Sequence, residues 1–145
     1  MPPAQHSVDI ARPPADVFPW LVDAEKRVQW VDGLEASDQL DAGEPRVGTR
    51  FRETLSVPGQ RLSVDVTIER LEPPRGVAIR TTGRGFEGRA VNTVAERDGG
   101  SRVTATLETS LKGFAARLLG GVVGRQTQRS LEQSLENLKR LLETG

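Results

Sequence analysis

The sequence has no cysteine, no tyrosine and a single histidine, His6, and these absences exclude several classes of chemistry. Without cysteine the chain cannot form disulfides, thiolate metal sites or a cysteine nucleophile. A metal site or a serine–histidine triad would have to be built around His6, and no cluster of acidic residues lies beside it in the sequence. We therefore predict no metal and no cofactor, and interpret His6 as a surface residue.

Long apolar runs are also missing. No stretch approaches the roughly 20 apolar residues that a membrane helix requires, and residues 1–14 lack the apolar core of a signal peptide. A cytoplasmic location is therefore expected. The 20 basic and 20 acidic residues balance, so the net charge favours no polyanionic partner such as nucleic acid. Nearly all of the basic residues are arginine, which is typical of a GC-rich bacterial genome.

The first part of the chain predicts one strand followed by a short helix. With 145 residues the chain has the length of one domain that can bury a core. Residues 6–11 alternate polar and apolar side chains, the pattern of a half-buried strand. Val17, Phe18 and Leu21 then lie at helical spacing, although Pro19 must shorten or kink that helix.

A second short helix is predicted over residues 24–31. Its N-cap is Asp23, whose carboxylate can accept hydrogen bonds from the first free N–H groups of the helix. Val28 and Val31 are expected to face the core beside Trp30.

The rest of the chain predicts strands separated by turns, then one long helix over 113–143. Pro58-Gly59 is the pair expected in a type II turn, and Asp98-Gly99-Gly100 marks a second hairpin. Leucines recur at steps of four, three and four residues in the long helix, which gives it an apolar face. The predicted strands are 47–57, 60–71, 76–82, 86–97 and 101–111, and the leucines are Leu131, Leu135, Leu138 and Leu142.

Several stretches resemble the superfamily of START domains, birch-pollen allergens and polyketide cyclases, known as SRPBCC. They are VDIARPPADVFPWLVDAEKRVQWVDGL, VGTRFRET, GSRVT and SLENLKRLLE. The resemblance covers essentially the whole chain and implies one α+β domain over 1–145 with the helix-grip fold. In that fold a curved antiparallel sheet wraps around a long C-terminal helix, and the space between them is a cavity for a hydrophobic ligand.

The two hairpins predict which side chains face that cavity. If residues 58 and 59 form the first turn, Glu53 lies opposite Val64 and Phe51 opposite Val66, and opposed residues share one face of a sheet. The apolar alternation of the second of these strands then turns Glu53 inward as well. Such a carboxylate could line the cavity, lie near a strand end, reach solvent or pair with an arginine such as Arg80 or Arg89.

The second hairpin adds further inward-facing groups. A two-residue loop would place Asn92 on the same face as Ala105, whereas an odd-length loop would reverse the assignment. Simple alternation along the strands adds Thr81 and Thr109. An apolar cavity with a few converging polar groups is the usual composition of a small-molecule site. We predict Glu53, Asn92, Thr81 and Thr109 as the polar groups, and Trp30, Phe51, Val64 and Val66 as walls.

Three glycines crowd the first half of the predicted long helix, where each costs roughly 1 kcal/mol relative to alanine. We interpret Gly120, Gly121 and Gly124 as leaving volume for the ligand at the mouth of the cavity and as a gate, so Gly120 and Gly124 join the predicted site. The alternative is a glycine hinge between a short helix and the main one. Their GxxxG spacing does not indicate a membrane helix, because arginines leave too short an apolar segment.

A second glycine pattern is misleading. Gly83, Gly85 and Gly88 match the GxGxxG spacing of dinucleotide sites, which need a helix directly after the glycines. Residues 89–97 instead predict a strand, so no dinucleotide site is expected.

Three functions remain open. The first is the binding or transport of a small hydrophobic ligand, such as a lipid, a polyketide or an aromatic compound, by a monomer or homodimer. The second, implied by the resemblance, is a polyketide cyclase or dehydratase that uses Glu53 as a general acid or base. Such an enzyme needs a pair of acid–base groups, and the predicted pocket has one carboxylate and no histidine or tyrosine. The third is a protein-interaction module, as in the chaperone-activator branch of the superfamily.

Overall fold

The computed structural model describes residues 3–57, 59–111 and 114–144, and over 114–124 it describes the backbone alone. This part of the chain forms seven strands and four helices, and β2 is the strand that the sequence pattern did not predict. The elements are β1 (Ala4–Ile10), α1 (Pro14–Val17), α2 (Pro19–Val22), α3 (Ala24–Trp30), β2 (Leu34–Gln39), β3 (Arg50–Val57), β4 (Gln60–Glu72), β5 (Gly76–Gly83), β6 (Phe86–Arg97), β7 (Gly100–Leu111) and α4 (Phe114–Thr144).

All strands belong to one antiparallel sheet in the order β1-β7-β6-β5-β4-β3-β2. From β2 to β7 each strand pairs with its neighbour along the chain, whereas β1 pairs with β7. The long helix α4 packs against β1, β7 and α3. This is the predicted helix-grip arrangement. None of the described helices is apolar over a length that would cross a bilayer.

The predicted register of the first hairpin is confirmed. Glu53 lies opposite Val64 and Phe51 lies opposite Val66. Gly59 has a φ of +85°, which a type II turn requires at its third position. The turn chemistry therefore decides which face of the sheet receives the Glu53 carboxylate.

The second hairpin also has the predicted register. Asp98 and Gly99 form a two-residue loop with φ angles of +50° and +82°, the backbone signs of a type I′ turn. Asn92 consequently lies opposite Ala105 on the face that α4 covers.

The short helices largely follow their sequence signals. Pro19 separates α1 from α2, and Asp23 caps α3 by accepting hydrogen bonds from the backbone N–H groups of Glu25 and Lys26 at 2.9 and 3.2 Å. The inner face of α3 differs from the prediction. Val28 is only half-buried, and Arg27 is the residue of this helix that turns a charged group into the interior, with 8% exposure.

The core lies between the sheet and the helices. Leu135 and Leu138 of α4 are fully buried, as the leucine pattern predicts, and they pack in one cluster with Val103 of β7. Trp30 is 3% exposed, and its indole N–H donates a hydrogen bond to the carbonyl oxygen of Trp20 at 2.7 Å. We call this end of the molecule, where α1, α2, α3 and the second half of α4 meet the sheet, the closed end.

The connection between β2 and β3 is held by Asp41 and Arg50. The Arg50 side chain donates two hydrogen bonds to the Asp41 carboxylate at 3.1 and 2.9 Å, and the Arg50 backbone N–H donates a third at 2.9 Å. These hydrogen bonds lower the pKa of Asp41 to about 2.

We expect the contribution of Asp41 to stability to disappear in acid. Its pKa is lower in the folded chain than the ordinary value of 3.8, so its stabilisation is complete above that value and is lost as the pH falls towards about 2. The urea midpoint of the unmodified protein should exceed that of Asp41→Asn at pH 7, and the difference should close between pH 4 and pH 2. Asp38→Asn is the control, because the Asp38 side chain is exposed and makes no hydrogen bond to the residues described. A difference that persists at pH 2 would contradict the assignment.

Candidate functional site

One row of side chains crosses five strands on the concave face of the sheet. Register places Phe51, Val66, Thr81, Gly88 and Thr109 side by side, each opposite the next. Four of these five were predicted from the sequence to line the cavity. Phe51 and Val66 are buried, whereas Thr81 and Thr109 are only half-buried. The burial of the row therefore decreases from β3 towards β7.

Gly88 is the member of this row that sequence reasoning missed. Its backbone does not require glycine, because it is not among the described glycines with positive φ. A Cβ at this position would meet the backbone oxygen of Glu108 at 3.4 Å and the Cβ of Thr81 at 3.7 Å, which are ordinary contacts. The glycine thus leaves the sheet without a side chain between two threonines. The GxGxxG match lies across the β5–β6 hairpin, and β6 occupies the place of the helix that a dinucleotide site needs.

Half-buried side chains surround Gly88 at the end of the sheet where β7 leads into α4. We call this group the open patch. It combines small, hydroxyl-bearing and apolar residues on three adjacent strands, and its members are Thr81, Phe86, Gly88, Ala90, Leu107 and Thr109. At the closed end the corresponding positions of the same strands, Val77, Val94 and Val103, are at most 4% exposed.

A small apolar cavity lies at the closed end, between α2, α3 and the sheet. Its volume is about 10 Å³, room for one water-sized group. Val66 lines it and is the direct partner of Thr81, so the cavity and the open patch are neighbours. Arg27 is the polar residue of a lining that otherwise consists of Leu21, Val22, Phe51, Val66, Ile68, Val77 and Ile79. Val64 and Trp30, predicted as walls, are buried but are not part of this lining.

Glu53 faces inward as predicted, and an arginine reaches it. The arginine is Arg27 rather than Arg80, which is exposed, or Arg89, which pairs with Glu69. Arg27 donates from Nε to Oε2 of Glu53 at 3.2 Å and from Nη2 to Oε1 at 3.0 Å.

Ser37 of β2 completes the surroundings of this carboxylate. Its hydroxyl donates a hydrogen bond to Oε2 of Glu53 at 2.7 Å. Both oxygens of Glu53, which is 3% exposed, are therefore engaged. This arrangement supports a role for Glu53 in orienting Arg27 more than a role in proton transfer.

Glu53 uses only one edge of the Arg27 guanidinium, and we call the other edge the free edge. A guanidinium carries five N–H groups, and two of them point at Glu53. None of the described residues accepts a hydrogen bond from Nη1 or from the second N–H of Nη2. Sequence reasoning missed Arg27, because it lies between apolar positions of α3 and its partner is distant in the sequence.

Asn92 and His6 are two further polar residues on the concave side. Asn92 is 6% exposed, and its side-chain amide makes no hydrogen bond to a described residue. His6 is half-buried rather than on the open surface, and its Nε2 lies 3.8 Å from Oε1 of Glu136. In the described parts of the chain, no three histidine, aspartate or glutamate residues are grouped as a metal site requires.

The glycines of α4 lie outside the residues whose surroundings are described. The helix runs through Gly120, Gly121 and Gly124. Their interpretation as the mouth of the cavity remains a prediction.

The chain is similar to a known protein family. A family model described as "Polyketide cyclase / dehydrase and lipid transport" matches residues 1–143. No curated protein sequence matches the chain. The sequence relationship therefore identifies a family and no individual function.

Solved structures share the fold at low sequence identity. TTHA0849 from Thermus thermophilus has 20% identity and a TM-score of 0.82, and the alignment covers 96% of this chain and 95% of that one. Ara h 8.0201 has 15% identity and a TM-score of 0.77, with 99% of each chain covered. DynU16, from the dynemicin biosynthetic locus, has 19% identity and a TM-score of 0.68, with 99% of this chain and 48% of DynU16 covered. At these identities the comparisons establish the fold.

Proposed function

Because this chain belongs to the polyketide cyclase / dehydrase and lipid transport family, we propose that it binds a small hydrophobic molecule on the concave face of its sheet, beneath the first half of α4. The observation that carries the proposal is the open patch. Its side chains are half-buried, while equivalent positions at the closed end are packed. Apolar side chains with a few hydroxyl groups, placed in a concavity, are the usual composition of a small-molecule site.

The same residues favour binding over catalysis. The two hydroxyl groups of the open patch, on Thr81 and Thr109, are weak acids and bases. The carboxylate of Glu53 is engaged by Arg27 and Ser37. A general acid–base mechanism needs a proton-transferring group within hydrogen-bond reach of the substrate. A cyclase or dehydratase would have to recruit such a group from elsewhere.

Filling the open patch should weaken ligand binding without unfolding the protein. Gly88→Val places a β-branched side chain between Thr81 and Thr109, and its Cβ fits without a close contact. We expect the affinity for the apolar dye N-phenylnaphthylamine, measured by fluorescence titration, to fall about tenfold, since a few misplaced carbons in an apolar site cost about 1–3 kcal/mol. The melting temperature should change little.

The control is Thr82→Val, which places the same side chain one residue from Thr81 on the exposed convex face. It should leave dye affinity unchanged. Equal affinities of Gly88→Val and the unmodified protein would show that the dye does not occupy the open patch. Native mass spectrometry of freshly purified protein would identify a ligand that copurifies, and a failure of any apolar dye to bind would contradict the proposed function itself.

A further inference from the structure

We propose that Arg27 binds the polar end of the ligand and that this end is an uncharged carbonyl oxygen rather than a carboxylate. The inference rests on the proposed function, because it requires a ligand on the concave face. It adds a recognition residue and a chemical class to the apolar site.

The guanidinium of Arg27 is only partly hydrogen-bonded within the protein. Arg27 is 8% exposed and uses its Nε and Nη2 groups on Glu53. The remaining edge, formed by Nη1 and the second N–H of Nη2, makes no hydrogen bond to a described residue. Its atoms are not among the fully buried unpartnered atoms of the described residues, so this edge is accessible to water or to an acceptor oxygen of a ligand.

The position of Arg27 fits this role. Arg27 lines the apolar cavity of about 10 Å³, which has room for one oxygen atom or one water molecule. Val66 lines this cavity, and Thr81 of the open patch lies directly opposite Val66 on the neighbouring strand. In this proposal the apolar body of the ligand lies on the open patch, and its tip extends past Val66 to Arg27.

The charge of the pair favours a neutral ligand group. The guanidinium is already paired with the Glu53 carboxylate, so the two side chains together are neutral. A ligand carboxylate would bring a second anion to this pair in an apolar surrounding, and an uncompensated buried charge is costly. A ketone, ester or amide oxygen accepts the same hydrogen bonds without that cost.

Glu53 and Ser37 act here as positioning residues. The paired hydrogen bonds from Nε and Nη2 hold the planar guanidinium in one orientation. Ser37 fixes the carboxylate by its hydrogen bond of 2.7 Å. The free edge is therefore oriented before the ligand arrives, which reduces the entropy lost on binding.

The test compares three dyes of similar size. Prodan is a neutral naphthyl ketone, N-phenylnaphthylamine has no carbonyl group, and anilinonaphthalene sulfonate is an anion. In the double variant Arg27→Met with Glu53→Leu, which removes both charges, we expect about a tenfold loss of Prodan affinity, the effect of one charge-assisted hydrogen bond. The affinity for N-phenylnaphthylamine should change less than twofold. Arg80→Met, on the exposed face, is the control and should alter neither.

A second variant tests the charge argument. Glu53→Gln leaves the guanidinium without its counter-charge, so the ratio of sulfonate affinity to Prodan affinity should rise about tenfold. A purely structural pair would not change this ratio. The proposal is overturned if Prodan and N-phenylnaphthylamine lose affinity equally in the double variant. If N-phenylnaphthylamine does not bind the unmodified protein, the proposed function fails first, and the two failures are thus distinguished.

Discussion

Replacing Glu53 by glutamine should destabilise the protein by about 3–5 kcal/mol, because it leaves the guanidinium of Arg27 buried without a counter-charge. The Glu53 and Arg27 side chains are 3% and 10% exposed and share two hydrogen bonds. Glutamine keeps one acceptor oxygen but loses the charge. Urea unfolding at neutral pH, analysed by linear extrapolation, measures the difference.

Two further variants test whether the loss of stability comes from the unpaired charge of Arg27. The double variant Arg27→Met with Glu53→Leu should be more stable than Glu53→Gln, since replacing a whole buried pair by apolar groups often costs little. Asp65→Asn breaks the exposed pair of Arg52 on β3 and Asp65 on β4 and should cost less than about 1 kcal/mol. If Glu53→Gln proved as mild as Asp65→Asn, Arg27 would have to reach water when its partner is lost.

Gly100→Ala should destabilise the protein by about 2–3 kcal/mol, although alanine usually suits regular structure better than glycine. A Cβ on Gly100 would lie 2.5 Å from the carbonyl oxygen of Ile10 and 3.3 Å from the Cα of Ala11. Both atoms belong to the backbone at the end of β1 and cannot rotate away. The end of β1 would have to move away from β7, where Ser101 also donates a hydrogen bond to the backbone oxygen of Arg12. Thermal and urea unfolding would measure the loss.

Gly88→Ala is the matched control for this substitution. It adds the same methyl group in a strand of the same sheet, where the nearest atoms are at 3.4 and 3.7 Å. Its effect on the free energy of unfolding should stay within about 0.5 kcal/mol. Similar losses at both positions would indicate a general requirement for glycine in these strands and would contradict the steric explanation.

The sequence predicted most of the sheet because its turns are chemically distinctive. Gly59 and the pair Asp98-Gly99 restrict their loops to particular turn types, and the loop length then sets the register of everything that follows. The inward orientation of Glu53 and Asn92 was therefore predictable before any contact was known. β2 was missed because it is an edge strand, and edge strands are often polar and show little hydrophobic alternation.

The ion pair of Arg27 and Glu53 was not predictable in the same way. Arg27 lies on a helix whose local pattern points to Val28 and Val31, and its partner Glu53 follows on a strand beyond β2. No short-range signal links such positions. Gly88 and Gly100 illustrate the same limit, since the space around a glycine is set by another strand. Residues that are distant in the sequence therefore decide which charged groups line the cavity and how much space is left around Gly88.

Because β1 pairs with β7, β1 can join the sheet only after β7 has been synthesised. Of the described strands β1 is synthesised first and its partner β7 last, with Val8 opposite Val103. The strands from β2 to β7 can pair as each emerges, because neighbours in the sheet are consecutive in the chain. The apolar side chains of β1 stay without their partner until β7, residues Gly100–Leu111, has been synthesised. Closing so long a loop is slow relative to forming a hairpin, and the waiting strand is exposed to aggregation or to chaperones in the interval.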